Sequence, residues 1–133
     1  MLGYCTNVHQ GNSFNDVLET IRTYCAPICN ESNLNISTGL WISNQASLEV
    51  DVIQLIDVIS QHNVSVFTLN GFPYGDFHSN IVQHDVYEPN WANPHRLEYT
   101  MRLARLLAQL IDSEEAGIST LPLGWNGSFF QNK

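Results

Sequence analysis

Three stretches of the chain repeat apolar residues at helical spacing, and four shorter runs between and around them are rich in β-branched and aromatic residues. In SFNDVLETIRTYCAPI, the residues Phe14, Val17, Leu18, Ile21 and Tyr24 fall on one helical face. Ser13 with Asp16 three positions later makes a capping-box-like start, and Pro27 is expected to end this helix. A second helix is expected from Asn44 to His62, capped by Ser43, with Val50, Ile53, Leu55, Ile56 and Ile59 on a broad apolar face. Asn93 and Pro94 open a third in the order cap then proline. Leu97, Met101, Ala104, Leu107, Ala108 and Ile111 continue it toward Ser113. The runs LGYCTN (2–7), STGLWIS (37–43) and NVSVFTLN (63–70) read as strands, and AGISTLPLGW (116–125) as a fourth strand leading into a loop. The order β-α-β-α-β-α-β predicts a parallel sheet with right-handed crossovers, an α/β fold in a single domain over residues 1–133.

In parallel α/β folds ligands gather beyond the carboxyl ends of the strands. VFTLNGFPYGDFH, residues 66–78, lies at such an end, and the connection from Asn70 to Asn93 far exceeds the usual ~2–6 residues. Phe72, Tyr74 and Trp91, with Phe77 and Tyr87, offer flat surfaces on which a ligand would stack, or else anchor a long loop. His78 reads as a metal ligand, a general base or a loop residue bonded to a carbonyl; His9 holds the equivalent place after the first strand, beside the Asn7 amide. Asn70 suits a substrate hydroxyl but also ordinary Asn-Gly turn chemistry. Asp76 and Asp85 would complete a mixed nitrogen and oxygen metal set with His78. His84 reads as solvated, and His62 and His95 as helix-end residues. No P-loop, GxGxxG, HExxH, GxSxG or CxxC pair occurs.

Composition narrows the classes. Apolar residues are 44% and charged residues 14% of the chain, against disorder. Five Lys and Arg face thirteen Asp and Glu, for a net charge of −8, with the basic residues dispersed; nucleic acid is not an expected partner, since binding it depends on neutralising phosphates. An anionic small molecule stays compatible, because a helix N-terminus and one or two arginines can hold a phosphate within an acidic protein. Cys5, Cys25 and Cys29 suggest reduced thiols and a cytoplasmic location rather than a zinc site or a disulfide framework. The N-terminus shows neither the basic nor the long apolar region of a signal peptide, and no window reaches membrane-span length.

YCTNVH (4–9), VFTLNGFPYGDFH (66–78), VYEPNW (86–91), RLEYTMRLAR (96–105) and ISTLPLGW (118–125) together resemble the N-terminal part of the EboE-type metabolite-traffic proteins, of the xylose-isomerase-like TIM-barrel superfamily. The resemblance implies the N-terminal half of a (β/α)8 TIM barrel of the kind shared with sugar isomerases and sugar-phosphate epimerases. It also implies traffic of a small metabolite toward export, alongside other proteins of an export pathway. His9 and His78 are the positions it offers for a divalent metal (Zn, Mn or Mg) or for acid–base chemistry, the remaining ligands coming from later strands. A whole barrel needs about 250 residues, so the expected domain is incomplete: four strands, three helices, a partial metal site and two unpaired sheet edges. The alternatives are a non-catalytic small-metabolite binding protein and, last, a flavodoxin-like or Rossmann-like open sheet.

Overall fold

The computed structural model describes residues 2–31, 36–75, 85–112 and 115–123. Four strands alternate with helical crossovers: β1 (Leu2–Cys5), α1 (Phe14–Thr20), α2 (Ala26–Glu31), β2 (Ile36–Trp41), α3 (Asn44–Glu49), α4 (Val52–Gln61), β3 (Ser65–Asn70), α5 (Pro94–Leu110) and β4 (Gly117–Ser119). The expected α/β alternation is present, and all three strand pairings are parallel in the order β1-β2-β3-β4.

Local chemistry explains most element starts. Ser13 and Asp16 form a reciprocal capping box, Ser43 Oγ accepts from Ala46 N at 3.0 Å, and Asn93 Oδ1 accepts from His95 N at 3.0 Å ahead of Pro94. Element ends are less local. The first strand stops at Cys5, where a 3₁₀ turn over Thr6–Val8 begins. The first helix does not stop at Pro27. Instead a π-helical turn, Ile21–Cys25, joins α1 to α2, with Ala26 N donating to Ile21 O. Widening the turn relieves the clash between the proline ring and the preceding carbonyls, and Pro27 falls in the first turn of α2, where its missing N–H costs least. The second helix is two helices. Val50 leaves helical geometry at ψ 120°, and Asp51 caps α4 by accepting from Gln54 N at 3.0 Å. The third ends at Leu110, short of Ser113, which lies outside the described residues.

The core joins one face of the sheet to the helices. Leu40, Leu69 and partly buried Tyr4, Val66 and Ile118 pack with Phe14, Val17, Leu18 and Ile21, with Leu55 and Val58 of α4, and with Tyr99, Leu103, Leu106 and Leu107 of α5. Two helical faces are therefore turned relative to the sequence reading: Ile53 and Ile56 of α4 and Leu97 and Met101 of α5 are exposed, while Val58, Arg96 and Tyr99 point inward. The break at Val50 resets the phase of α4, and the inward row of α5 begins with Arg96, a residue hydrophobicity does not mark.

Strands joined in sequential order by crossovers of one hand place every crossover on the same side of the sheet. The opposite face carries Gly3, Cys5, Phe67, Thr68, Gly117 and Ser119, all exposed except the half-buried Thr68. Phe67 is an extra residue in β3, since Thr38 pairs with Val66 and Gly39 with Thr68. The bulge sends its ring onto this face, against Gly3. Polar positions inside β2 are satisfied across the ladder: Thr38 Oγ1 donates to Ser65 O at 2.6 Å, and Ser37 and Ser65 hydroxyls lie 3.0 Å apart. Among the described residues, no helix is long and apolar enough to cross a membrane.

Candidate functional site at the strand ends

The carboxyl ends of β2, β3 and β4 are tied together by the start of the NGFPYG segment. Asn70 Oδ1 accepts from Phe72 N at 3.0 Å, an Asx turn, and from Ser119 Oγ at 2.9 Å. Gly71 N donates to Ser119 O at 2.8 Å, and a Cβ on Gly71 would sit 3.1 Å from that carbonyl and 3.0 Å from Leu103 Cδ1. Glycine is what allows the chain to pass so close to β4.

Pro73 and Tyr74 are held from below. Trp41 Nε1 donates to Pro73 O at 3.0 Å, Tyr99 Oη donates to Ile42 O at 2.7 Å and also reaches Pro73 O at 3.3 Å, and Asn44 N donates to Tyr74 O at 2.7 Å. Tyr74 packs edge-on against Tyr99 with ring centroids 5.1 Å apart. Burial pushes the Tyr99 hydroxyl well above its usual range, so it stays a donor at neutral pH.

Arg96, absent from the sequence candidates, is the centre of this arrangement. Its residue is 0% exposed. Nε donates to Pro89 O at 2.8 Å, and Nη1 donates to Gly71 O at 2.9 Å and Phe72 O at 3.2 Å, joining both ends of the long connection. The rings of Tyr74 and Tyr99 lie 5.3 and 5.7 Å from the guanidinium carbon. Desolvation lowers the Arg96 pKa from its usual value, opposed by Tyr99, Tyr74 and Glu88. The sequence held one signal for it: Arg96 starts the row Tyr99, Leu103, Leu106, Leu107 at helical spacing.

The other candidates separate. Phe72 packs on Tyr87 at 5.5 Å, and Trp91 Nε1 donates to Leu121 O at 3.1 Å, so both aromatics brace the connection as well as edging the strand ends. Asn7 sits half-buried on the 3₁₀ turn after β1. His9 turns toward the helix layer: Tyr4 Oη and His9 Nε2 are 2.6 Å apart, and its ring stacks on Tyr24 at 3.8 Å between centroids. Tyr24 belongs to the π-helical turn. Burial raises the Tyr4 hydroxyl pKa, with Cys25 and Tyr24 adding to it, so Tyr4 remains protonated and can donate to His9. Beside His9 opens a polar cavity of about 260 Å³ lined by Gln10, Asp16, Glu19, Thr20 and Thr23. His78, Asp76, Phe77 and His84 lie outside the described residues. Among those described, no three His, Cys, Asp or Glu side chains gather closely enough to hold a metal ion.

What the strand ends offer chemically is a rigid rim with more free donors than acceptors. The Asn70 oxygen is used twice, while among the described residues its amide nitrogen has no partner. The Gly71, Phe72 and Pro73 carbonyls all accept side-chain donors. Set against known protein families, characterised proteins and solved structures, this chain finds no match in any of the three.

Proposed function

We propose that the chain is the N-terminal half of a (β/α)8 barrel that binds a small metabolite at the carboxyl ends of its strands and, as in the EboE-type proteins it resembles, serves metabolite traffic toward export from the cytoplasm. The observation that carries this reading is the sheet itself. A sequential parallel order with helices packed on one face supports a barrel, whose strands follow one another in chain order, over a doubly wound sheet, which reverses its strand order and covers both faces. The opposite face, with Gly3, Cys5, Thr68 and Ser119, would turn inward on closure. Asn70 would bond a substrate hydroxyl through its free amide nitrogen, and Phe72 and Trp91 would edge the mouth.

A second reading, an isomerase-like or epimerase-like enzyme, draws support from the 2.6 Å Tyr4–His9 pair. A histidine held by a neighbouring hydroxyl suits proton transfer. A divalent metal (Zn, Mn or Mg) held in part by His9 and His78 would polarise the substrate carbonyl in that case.

One experiment separates these readings: thermal unfolding of the protein with a panel of polyols, sugars and sugar phosphates, with and without added zinc, manganese or magnesium. Binding proteins gain stability with ligand alone, by RT ln(1 + [L]/Kd), and lose the gain in Asn70→Ala. An isomerase-like site requires metal for the gain and loses it in His9→Ala. No stabilisation by any member, with or without metal, would defeat both.

A further inference from the structure

A buried arginine with no anion hydrogen-bonded to it is expensive to keep charged, and Arg96 is such a residue. Among the described residues the ion pairs are Arg22 with Glu19 and His95 with Glu98; Arg96 donates only to neutral carbonyls, and its Nη2 has no hydrogen-bond partner. A guanidinium has five N–H donors, and the two on Nη2 are the ones left over. The Tyr74 and Tyr99 rings lie 5.3 and 5.7 Å from the guanidinium carbon, and the buried Nη2 donors left over point along the guanidinium plane, the direction in which a planar or tetrahedral oxyanion accepts.

The position adds a second attraction. Arg96 lies in the first turn of α5, a helix of 17 residues, whose N-terminal end is its positive pole. Pro94 has no N–H and His95 N is already taken by Asn93 Oδ1, so the helix contributes field rather than donors and Nη2 supplies the hydrogen bonds. Glu88 is the carboxylate whose charge acts on Arg96. Its carboxylate is engaged by Asn90, accepting from the backbone N at 3.1 Å and from Nδ2 at 3.2 Å.

We propose that Arg96 Nη2, at the start of α5 and beside the carboxyl end of β3, is an oxyanion-binding site that receives the phosphate or carboxylate group of a small metabolite. The site deepens the reading of the strand ends as the ligand face, and it rests on that reading for its substrate, though not for its affinity toward simple anions.

The test titrates the full chain with inorganic phosphate and, separately, acetate at constant ionic strength, following the Arg96 Nε–H resonance by NMR together with thermal unfolding. The expected result is a saturable shift with a Kd in the millimolar range and a raised Tm. Preference for phosphate over acetate would assign a phosphorylated ligand, the reverse a carboxylate. Glu88→Gln should bind at least as tightly, and Arg96→Lys, which loses the planar fork, at least tenfold more weakly. No saturable shift with either anion in the wild type and in Glu88→Gln overturns the site, as does undiminished binding by a folded Arg96→Lys. Failure here with polyol or sugar binding intact leaves the metabolite reading standing, whereas binding of phosphate or acetate without stabilisation by any polyol, sugar or sugar phosphate leaves this site and removes that reading.

Discussion

Tyr99→Phe isolates one hydrogen bond that joins the core to the strand-end rim. The ring is fully buried, packed on Tyr74 and in the same cluster as Leu103 and Leu107, and phenylalanine keeps that packing without opening a cavity. What disappears is the hydroxyl that donates to Ile42 O at 2.7 Å and approaches Pro73 O at 3.3 Å. Pro73 O keeps the Trp41 Nε1 donor at 3.0 Å, so the Ile42 carbonyl takes the loss. Stranding one buried acceptor costs about 1–3 kcal/mol, and for a domain of this size each kcal/mol moves Tm by roughly 3–4 °C. We expect about 2 kcal/mol in urea unfolding and a fall in Tm of about 6–8 °C. The wild type should also lose stability as pH rises above 10, the ordinary tyrosine value, because the folded hydroxyl holds its proton beyond the pH at which the unfolded one releases it. Its contribution is complete below that pH, and the variant should show a shallower alkaline loss. A change under about 0.5 kcal/mol, with an unaltered alkaline limb, would refute the claim that this bond carries the rim.

Ser43→Ala removes the cap from Ala46 N and the donor to Asn12 O at 3.1 Å, and should cost about 1–2 kcal/mol by urea unfolding. Gly11→Ala would put a Cβ 2.8 Å from Trp41 Cε3, a buried ring already fixed by Pro73, and should destabilise by about 1–3 kcal/mol; a neutral outcome would mean Trp41 is free to shift. Thiol titration of the native protein at neutral pH should label exposed Cys5 and spare Cys25, which is buried and whose pKa burial pushes up to about 12, until denaturant is added.

Signals carried by neighbours a few positions apart were legible along the chain. Ser13 with Asp16, Ser43, and Asn93 with Pro94 each satisfy orphan amides within three residues, so their chemistry is complete in the sequence and the helices begin where it says. The alternation of apolar periods likewise contains the parallel sheet, since strands separated by helical crossovers have little choice but to run the same way. The NGFPYG segment could be recognised as a special loop at a strand end, yet whether its aromatics would stand as walls or lie down as braces could not.

Tertiary structure decided the rest, because the deciding partners are distant. Pro27 stays within a continuous helical crossover because a π-helical turn makes room for it, and that turn brings Tyr24 onto His9, 15 positions earlier in the chain. Arg96 is polar by composition and buried by position; its bonds reach Gly71 and Phe72 across β3 and Pro89 before the helix. Sequence by itself determined where three of the helices start, after Ser13, Ser43 and Asn93, because capping is a local exchange of hydrogen bonds, while the starts of α2 and α4 inside expected helices were not read from it. Only folding determined which side of each helix faces inward and which donor was left without an acceptor, because burial is a property of the whole packed layer.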